Sequence, residues 1–200
     1  MAAEHRLQAT LGYEPAARTV SVGWAPHWSF SRAPWLELGA VLRANYFGGR
    51  NLSLETAEIA AIQQNETSTI TEVSPHILAL NLGISARVEP LEWIAFGFNL
   101  DLAGQSFGPQ QVAVYDEAGF SASPSLQPTR SNLFLVALRD RGTLNSEFYV
   151  ATPIDERWSL RLGLSHFFAE MTADTPLKYG GQRFRTIRDV FFVGVDCILP

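Results

Sequence analysis

The strongest pattern along the chain is an alternation of apolar residues with small or polar ones at a period of two. It is clearest from Trp93 to Phe107, where one face of an extended strand would carry Ile94, Phe96, Phe98, Leu100 and Leu102. The other face would carry Ala95, Gly97, Asn99, Asp101, Ala103 and Gln105. Successive side chains of a strand point to opposite sides, so this stretch predicts a strand with one apolar face. It is longer than a typical strand of roughly 5–6 residues and suits a tilted strand that crosses a bilayer, which needs about 9–11.

The same alternation recurs along the chain and predicts eight strands. Their approximate bounds are 5–14, 19–24, 35–47, 76–88, 93–107, 131–152, 158–168 and 184–199. The segment 131–152 has two interpretations, which are one long strand or two shorter strands joined at Gly142. The alternation is broken from Gly48 to Pro75. Within this long loop, Ser53 as N-cap and Glu55 in the first turn predict a short helix over Ser53–Gln64.

Short and long connections alternate between these strands. The short turns are Ala33–Pro34, Glu89–Glu92 and Pro153–Arg157, the long loops are 48–75, 108–130 and 172–183, and the short turn at Pro15 is the exception. This alternation is typical of outer-membrane barrels, which must also close because lipid tolerates no open sheet edge. The sequence therefore predicts one domain, residues 1–200, that is all-β: an eight-stranded antiparallel up-and-down transmembrane β-barrel with a short helix in one long loop.

The polar faces of these strands carry charges of both signs, and this decides which face points inward. The charged residues are Glu37, Arg43, Arg87, Asp101, Glu147, Arg161, Arg188 and Asp196. Eight strands enclose room for one small ligand or a filling of side chains, and buried charges must be paired. We therefore expect the apolar faces to contact lipid and these eight residues to form a barrel-interior charge network. A soluble lipocalin-like barrel that binds a small apolar ligand, with the faces reversed, is an alternative. So is a narrow pore in which the network breaks and reforms.

Composition narrows the class further. The chain is 46% hydrophobic and 18% charged, below the roughly 25% charge of soluble domains, and its net charge of −5 argues against a nucleic-acid surface. No run of eighteen apolar residues predicts a transmembrane helix, and the single Cys197 excludes an internal disulfide. The first residues lack the apolar core of a secretory signal. Either the signal of an outer-membrane precursor has been removed, which we expect, or the interpretation as an exported protein is wrong.

Three tryptophans follow short turns and begin strands: Trp35, Trp93 and Trp158. They predict either an aromatic girdle at a membrane interface or aromatic plugs that close one end of the barrel.

The eight alternating segments, the short turns and the long loops resemble those of small outer-membrane β-barrel proteins of the OmpA-like and OmpX-like kind. The stretches ISARVEPLEWIAFGFNLDLAGQSFG and RGTLNSEFYVATPIDERWSLRLG are also similar to uncharacterised outer-membrane barrels of the Bacteroidetes. The resemblance implies a barrel in the bacterial outer membrane. Members of the family often end in an aromatic residue, whereas this chain ends Ile-Leu-Pro.

Some barrels of this kind modify lipids, which makes the histidines and Ser165 candidate catalytic residues. The four histidines, His5, His27, His76 and His166, are dispersed and lack metal-ligand spacing. Ser165 and His166 are adjacent in a strand and therefore point to opposite faces. With no phosphate-cradling glycine motif and no nucleophile elbow, we expect no enzyme activity, catalytic residue, cofactor or metal.

The expected role is structural or surface-binding. The expected partners are outer-membrane lipids or lipopolysaccharide, with a possible surface ligand at loops 48–75 and 108–130. Nucleic acid is not expected, and the barrel is expected to be a monomer.

Overall fold

The computed structural model describes residues 3–58, 62–64, 66–117, 120–135, 140–177 and 181–200. Almost all of the secondary structure is β. The strands are β1 (Glu4–Glu14), β2 (Ala17–Phe30), β3 (Ala33–Gly49), β4 (Leu52–Thr56), β5 (Thr69–Val73), β6 (His76–Leu91), β7 (Ile94–Phe107), β8 (Gln111–Val112), β9 (Tyr115–Glu117), β10 (Phe120–Ala122), β11 (Ser125–Pro128), β12 (Ser131–Leu133), β13 (Leu144–Pro153), β14 (Trp158–Ala173) and β15 (Arg183–Ile198).

Eight long strands close into an antiparallel barrel, which confirms the predicted fold. Their order around the barrel is β1, β2, β3, β6, β7, β13, β14 and β15, and β15 pairs back onto β1, for example through Leu11↔Val193. One end, the turn end, carries the chain termini and the short connections at 31–32, 92–93 and 154–157. The other, the loop end, carries the long connections. The turn predicted at Ala33–Pro34 lies at Ser31 and Arg32 instead.

The loop end carries additional short strands, which we call the cap. Strand β4 pairs with β15 beyond the end of β1, through Arg185↔Glu55, and β11 pairs with β14 through Leu126↔Ala173. An apolar cluster, which we call the cap core, fills the space between these short strands and the loop end of the barrel. Its buried members are Ala17, Phe47, Leu52, Leu54, Ile70, Val73, Ile77, Ala113, Tyr115, Leu126, Phe167, Ala169, Met171, Ala173, Leu177 and Phe184.

The predicted helix over Ser53–Gln64 is wrong over residues 53–58. Residues 52–56 form β4, in which Leu54 is fully buried and pairs with Ile70. Only Ile62 and Gln63 are helical in the described part of this segment, and Ile62 donates its N–H to the carbonyl of Glu58 at 3.1 Å. Residues 59–61 lie outside the described residues. Pairing with two neighbouring strands and burial in the cap core outweigh the weak local helix signal.

The segment 131–152 forms two strands rather than one. β12 and β13 both pair with β7, and a bridge between Leu133 and Arg141 shows that the chain doubles back between them. Gly142 ends this excursion with φ of +80°, a left-handed conformation that glycine adopts without a steric penalty.

A β-bulge at Leu102 changes the faces of the stretch that is most strongly alternating. β6 pairs Gly83 with Asp101 but Leu82 with Ala103, so β7 has one residue more than its partner. The faces reverse at that point. Ala103 and Gln105 are therefore exposed, contrary to the prediction that places them opposite the apolar face, and Ser106 is buried.

Candidate functional site

The outside of the barrel is an apolar belt. Large aliphatic and aromatic side chains on the barrel strands are exposed around the circumference, among them Leu7, Leu11, Val20, Val22, Trp24, Leu38, Leu42, Leu78, Leu80, Leu82, Ile84, Phe96, Phe148, Val150, Leu162, Phe191 and Val193. The alternative of a soluble lipocalin-like barrel requires these side chains to line the interior. Their outward orientation makes that interpretation wrong.

Aromatic side chains border the belt at the turn end. Trp35, Trp93 and Trp158 are all exposed, and so are Trp28 and Phe30. None of them is therefore a buried plug inside the barrel. Trp28 and Trp158 are at outward-facing positions, whereas Trp35 shares the face of Glu37 at the open end of β3. Trp93 lies in the turn before β7, which explains why its place in the alternation does not match that of Trp158.

The centre of the interior is an ion pair between Arg43 on β3 and Asp101 on β7. Asp101 is fully buried and accepts hydrogen bonds from Arg43 Nε at 3.0 Å and Arg43 Nη2 at 2.5 Å through Oδ1. Its Oδ2 accepts from Asn45 Nδ2, Asn81 Nδ2 and the backbone N–H of Asn145 at 2.7–3.0 Å. Every group around this carboxylate is a donor, which is the environment that a buried negative charge requires.

A second group of charges continues from this pair toward the turn end. Arg43 Nη1 lies 2.8 Å from Glu147 Oε2, and Arg161 Nη2 donates to the same oxygen at 3.3 Å. Arg161 Nη1 donates to Asp196 at 3.1 Å, and the guanidinium stacks 3.7 Å from the centroid of the Tyr149 ring. Arg161 is therefore held by two carboxylates and one aromatic face.

The network opens toward the turn end at Arg87, Glu37 and Arg6. Arg87 lies 3.5 Å from Asp196 and donates to Glu89 at 2.7 Å, while Arg6 donates to both carboxylate oxygens of Glu37 at 3.4 Å. Arg6 is absent from the predicted network, although its place in β1 puts it on the same face as Gln8. The buried network contains four arginines (6, 43, 87, 161) and four carboxylates (37, 101, 147, 196), so its formal charge is zero.

Arg188 does not join this network. It has the inward orientation that the alternation predicts, but it lies at the loop-end rim, where it is half-buried. Its guanidinium is 3.7 Å from Glu14 and donates to Thr186 at 3.2 Å. The remaining seven predicted residues are buried together in the barrel, as the preceding distances describe.

Amides and hydroxyls connect the charges, and the sequence prediction did not include them in the site. Asn99 Nδ2 donates to Gln8 and to Glu147, and Ser85 donates to Asn99 at 2.7 Å. His27 Nε2 lies 2.8 Å from Ser85 Oγ. The inward-facing asparagines at 45, 81, 99 and 145 were the available signal, because an amide with no partner would be costly in such an interior.

The network gives way to the cap core at the loop end. Asn81 accepts from Asn132, which in turn accepts from Ser106 at 2.8 Å and from the backbone of Thr143 at 2.9 Å. Above this layer Phe47 and Phe167 stack with ring centroids 4.9 Å apart. The described interior is therefore filled by paired charges toward the turn end and by apolar side chains toward the loop end.

The other histidines lie outside the barrel. His5 stacks on Trp24, and His76 Nδ1 lies 2.7 Å from Tyr46 Oη. His166 is exposed near the loop end, and its neighbour Ser165 is buried on the opposite face, where it donates to Asn145. Within the described residues no group of three or more histidine, cysteine or acidic side chains is placed to hold a metal ion. No helix in the same ranges has the length and apolar character to cross a membrane.

Comparison with known proteins adds little to this description. No family model and no curated protein matches the chain. Among solved structures it is similar to Neisserial surface protein A (8% identity, 98% of this chain and 96% of that one, TM-score 0.39). It is also similar to the Yersinia pestis outer membrane protein Ail (8% identity, 98% and 99% coverage, TM-score 0.41). At these scores the assignment of the fold rests on the strand pairing of the chain itself.

Proposed function

We propose that the protein is an integral outer-membrane β-barrel, inserted as a monomer, that anchors its cap at the membrane surface without forming an open pore. The observation that carries this proposal is the apolar belt, because an exterior of this kind has no counterpart on a soluble monomer. Large exposed apolar surfaces on proteins mark contact with lipid or another protein. The belt extends over strands all around the barrel, which favours lipid over a partner that covers one side.

The interior supports a sealed rather than a conducting barrel. A pore needs a continuous aqueous path, whereas Arg43, Glu147 and Arg161 are fully or almost fully buried, and Glu147 contacts both arginines in the lumen. The cap core then covers the loop end with apolar side chains. The narrow-pore alternative requires both layers to move. We therefore expect no single-channel conductance from the folded protein in planar bilayers, and regular current steps would overturn this part of the proposal.

Arginine substitutions test membrane insertion. Leu82 lies midway along β6 and is 58% exposed, so Leu82→Arg would place a charge near the bilayer midplane. We expect a loss of about 2–4 kcal/mol in the free energy of unfolding in lipid vesicles, with less of the fast-migrating form on gels without boiling. Val112→Arg is the matched control, because Val112 is 72% exposed but lies in the cap.

The two variants separate insertion from a general intolerance of the exterior to charge. We expect Val112→Arg to stay within about 0.5 kcal/mol of the parent, as is usual for exposed positions. Equal costs at the two positions, or a parent protein that is a soluble monomer without detergent, would contradict insertion.

A further inference from the structure

The apolar belt ends at the loop end on a row of three polar side chains on neighbouring strands. In the strand register Ser146 on β13 lies directly opposite His166 on β14, and His166 lies directly opposite Asp189 on β15. On each strand the next outward-facing position toward the turn end is apolar: Phe148, Leu164 and Phe191. Toward the loop end the next outward-facing positions are Leu144 and Phe168, which are buried, and Ile187, which is 47% exposed. The row therefore interrupts the belt near its loop-end border.

The central histidine is oriented by the acid. His166 Nδ1 lies 2.7 Å from Asp189 Oδ1, which fixes the ring and leaves Nε2 for another partner. Side chains directly opposite each other on an antiparallel pair have Cβ atoms about 4.5–5.5 Å apart, so Ser146 and His166 are direct cross-strand neighbours. Serine, histidine and aspartate in this order are the groups of a nucleophile, its general base and the acid that orients the base.

A cavity of about 350 Å³ adjoins the row. Ser146 and His166 both line it, together with the apolar side chains Leu144 and Phe168 and the guanidinium-bearing Arg185. The Arg185 guanidinium lies 5.2 Å from the centroid of the Phe168 ring. The nearby Asp140 carboxylate accepts the backbone N–H of Leu135 at 2.8 Å. The cavity thus combines an apolar wall with one guanidinium, that of Arg185, and one carboxylate, that of Asp140.

We propose that Ser146, His166 and Asp189 form an acyl-ester hydrolase site that acts on membrane lipids. Ser146 Oγ attacks the ester carbonyl carbon while His166 Nε2 takes the hydroxyl proton, and Arg185 stabilises the negative charge that develops on the carbonyl oxygen. The ester C–O bond breaks, the leaving alcohol takes the proton from His166, and an acyl-Ser146 ester remains. Water, deprotonated by His166, then attacks this ester and releases a carboxylic acid and free serine.

The substrate class follows from the position of the row. A lipid held against Phe148, Leu164 and Phe191 would have its chains along the belt and its ester groups at the height of Ser146. The inference rests on the proposed insertion for access to lipid, but the chemistry at Ser146 does not depend on it. A water-soluble ester therefore tests the site separately from the membrane.

The experiment uses the full chain folded in detergent micelles and in vesicles of phosphatidylethanolamine and phosphatidylglycerol. Three quantities are measured: hydrolysis of a short-chain p-nitrophenyl ester, release of fatty acid from the vesicles, and labelling of Ser146 by a fluorophosphonate, located by mass spectrometry. We expect Ser146→Ala to abolish all three. His166→Gln should lower both rates by about 100-fold or more, the scale of general-base catalysis. The control is His76→Gln, which removes an exposed histidine on β6 and should leave the rates unchanged.

The outcomes distinguish the two proposals. Ester hydrolysis and Ser146 labelling by a protein that does not enter vesicles would support the site and contradict the insertion. A protein that inserts but shows neither labelling nor hydrolysis above Ser146→Ala would overturn the site. Equal activity of the parent and His166→Gln would also overturn it. Boiling-dependent gel mobility of each variant confirms that a lost activity is not lost folding.

Discussion

The sharpest test of the interior network is the neutral replacement Asp101→Asn. Asp101 is fully buried and accepts five hydrogen bonds, two from Arg43 and three from the amides of Asn45, Asn81 and Asn145. An asparagine has almost the same shape, but one of its two terminal atoms is a donor. Whichever way the amide is turned, a donor faces donors, and Arg43 loses one of its two carboxylates.

The expected cost follows from what Arg43 keeps. After the substitution its guanidinium still has Glu147 at 2.8 Å and the carbonyl of Asn145 at 2.7 Å, so its charge is only partly uncompensated. Removing one partner of a buried ion pair costs about 3–5 kcal/mol, and the remaining contacts put Asp101→Asn near the lower limit, about 3 kcal/mol.

The assay is denaturant unfolding of the protein in lipid vesicles, followed by tryptophan fluorescence and by gel mobility without boiling. Arg43→Met completes a double-mutant cycle, and we expect a coupling of about 1.5 kcal/mol or more between the two positions. Glu156→Gln removes an exposed carboxylate at the turn end and is the control. A cost below about 1 kcal/mol for Asp101→Asn, or additive effects in the cycle, would refute the reasoning.

Two further predictions concern a close contact and an exposed turn. A Cβ on Gly97 would lie 2.0 Å from Tyr149 Cζ, so Gly97→Ala should displace the ring under Arg161 and cost about 1–3 kcal/mol in unfolding free energy. Gly181→Ala, whose Cβ would be 3.5 Å from its nearest neighbour, should cost less, and equal costs would contradict the contact. The backbone N–H groups of Arg157 and Trp158 donate to Asp155 and lower its pKa. This favours the turn above the unfolded pKa and is lost as pH falls through the folded one, so an NMR titration that finds an unshifted or raised pKa would contradict it.

Alternation along single strands was enough to predict the closed barrel and the inward position of most of the charges. The prediction works because a shift of one residue in the pairing would move every side chain of a strand to the other face. In a barrel with an apolar exterior such a shift would place the charges outside, so the pairing is strongly specified. It fails where the register is set by a neighbour, as at Leu102, whose bulge against Leu82 and Gly83 reverses the faces of Ala103 and Gln105.

The alternation along single strands could not predict the cap, nor the polar row of Ser146, His166 and Asp189 near the loop-end border of the belt. β4 is a strand because β5 and β15 pair with it, and β15 lies near the other end of the chain. Ser146, His166 and Asp189 are likewise separated by about twenty residues each and meet only through the register of three strands. In the sequence His166 is adjacent to Ser165, whose side chain points to the opposite face of the sheet. A search for a serine close to His166 along the chain therefore finds Ser165 and misses Ser146.

The change of partner along β15 has a consequence for how the surface of this protein can vary. Because β15 pairs with β1 at Val193 and with β4 at Arg185, most of the cap belongs to the same hydrogen-bonded sheet as the barrel, while β9 and β10 form a separate two-stranded sheet. Gaining or losing a single residue within β4 would exchange the side chains that enter the cap core with those that face solvent. Over evolutionary time the exposed end can therefore diversify through substitutions at outward positions more readily than through changes of length in its paired segments.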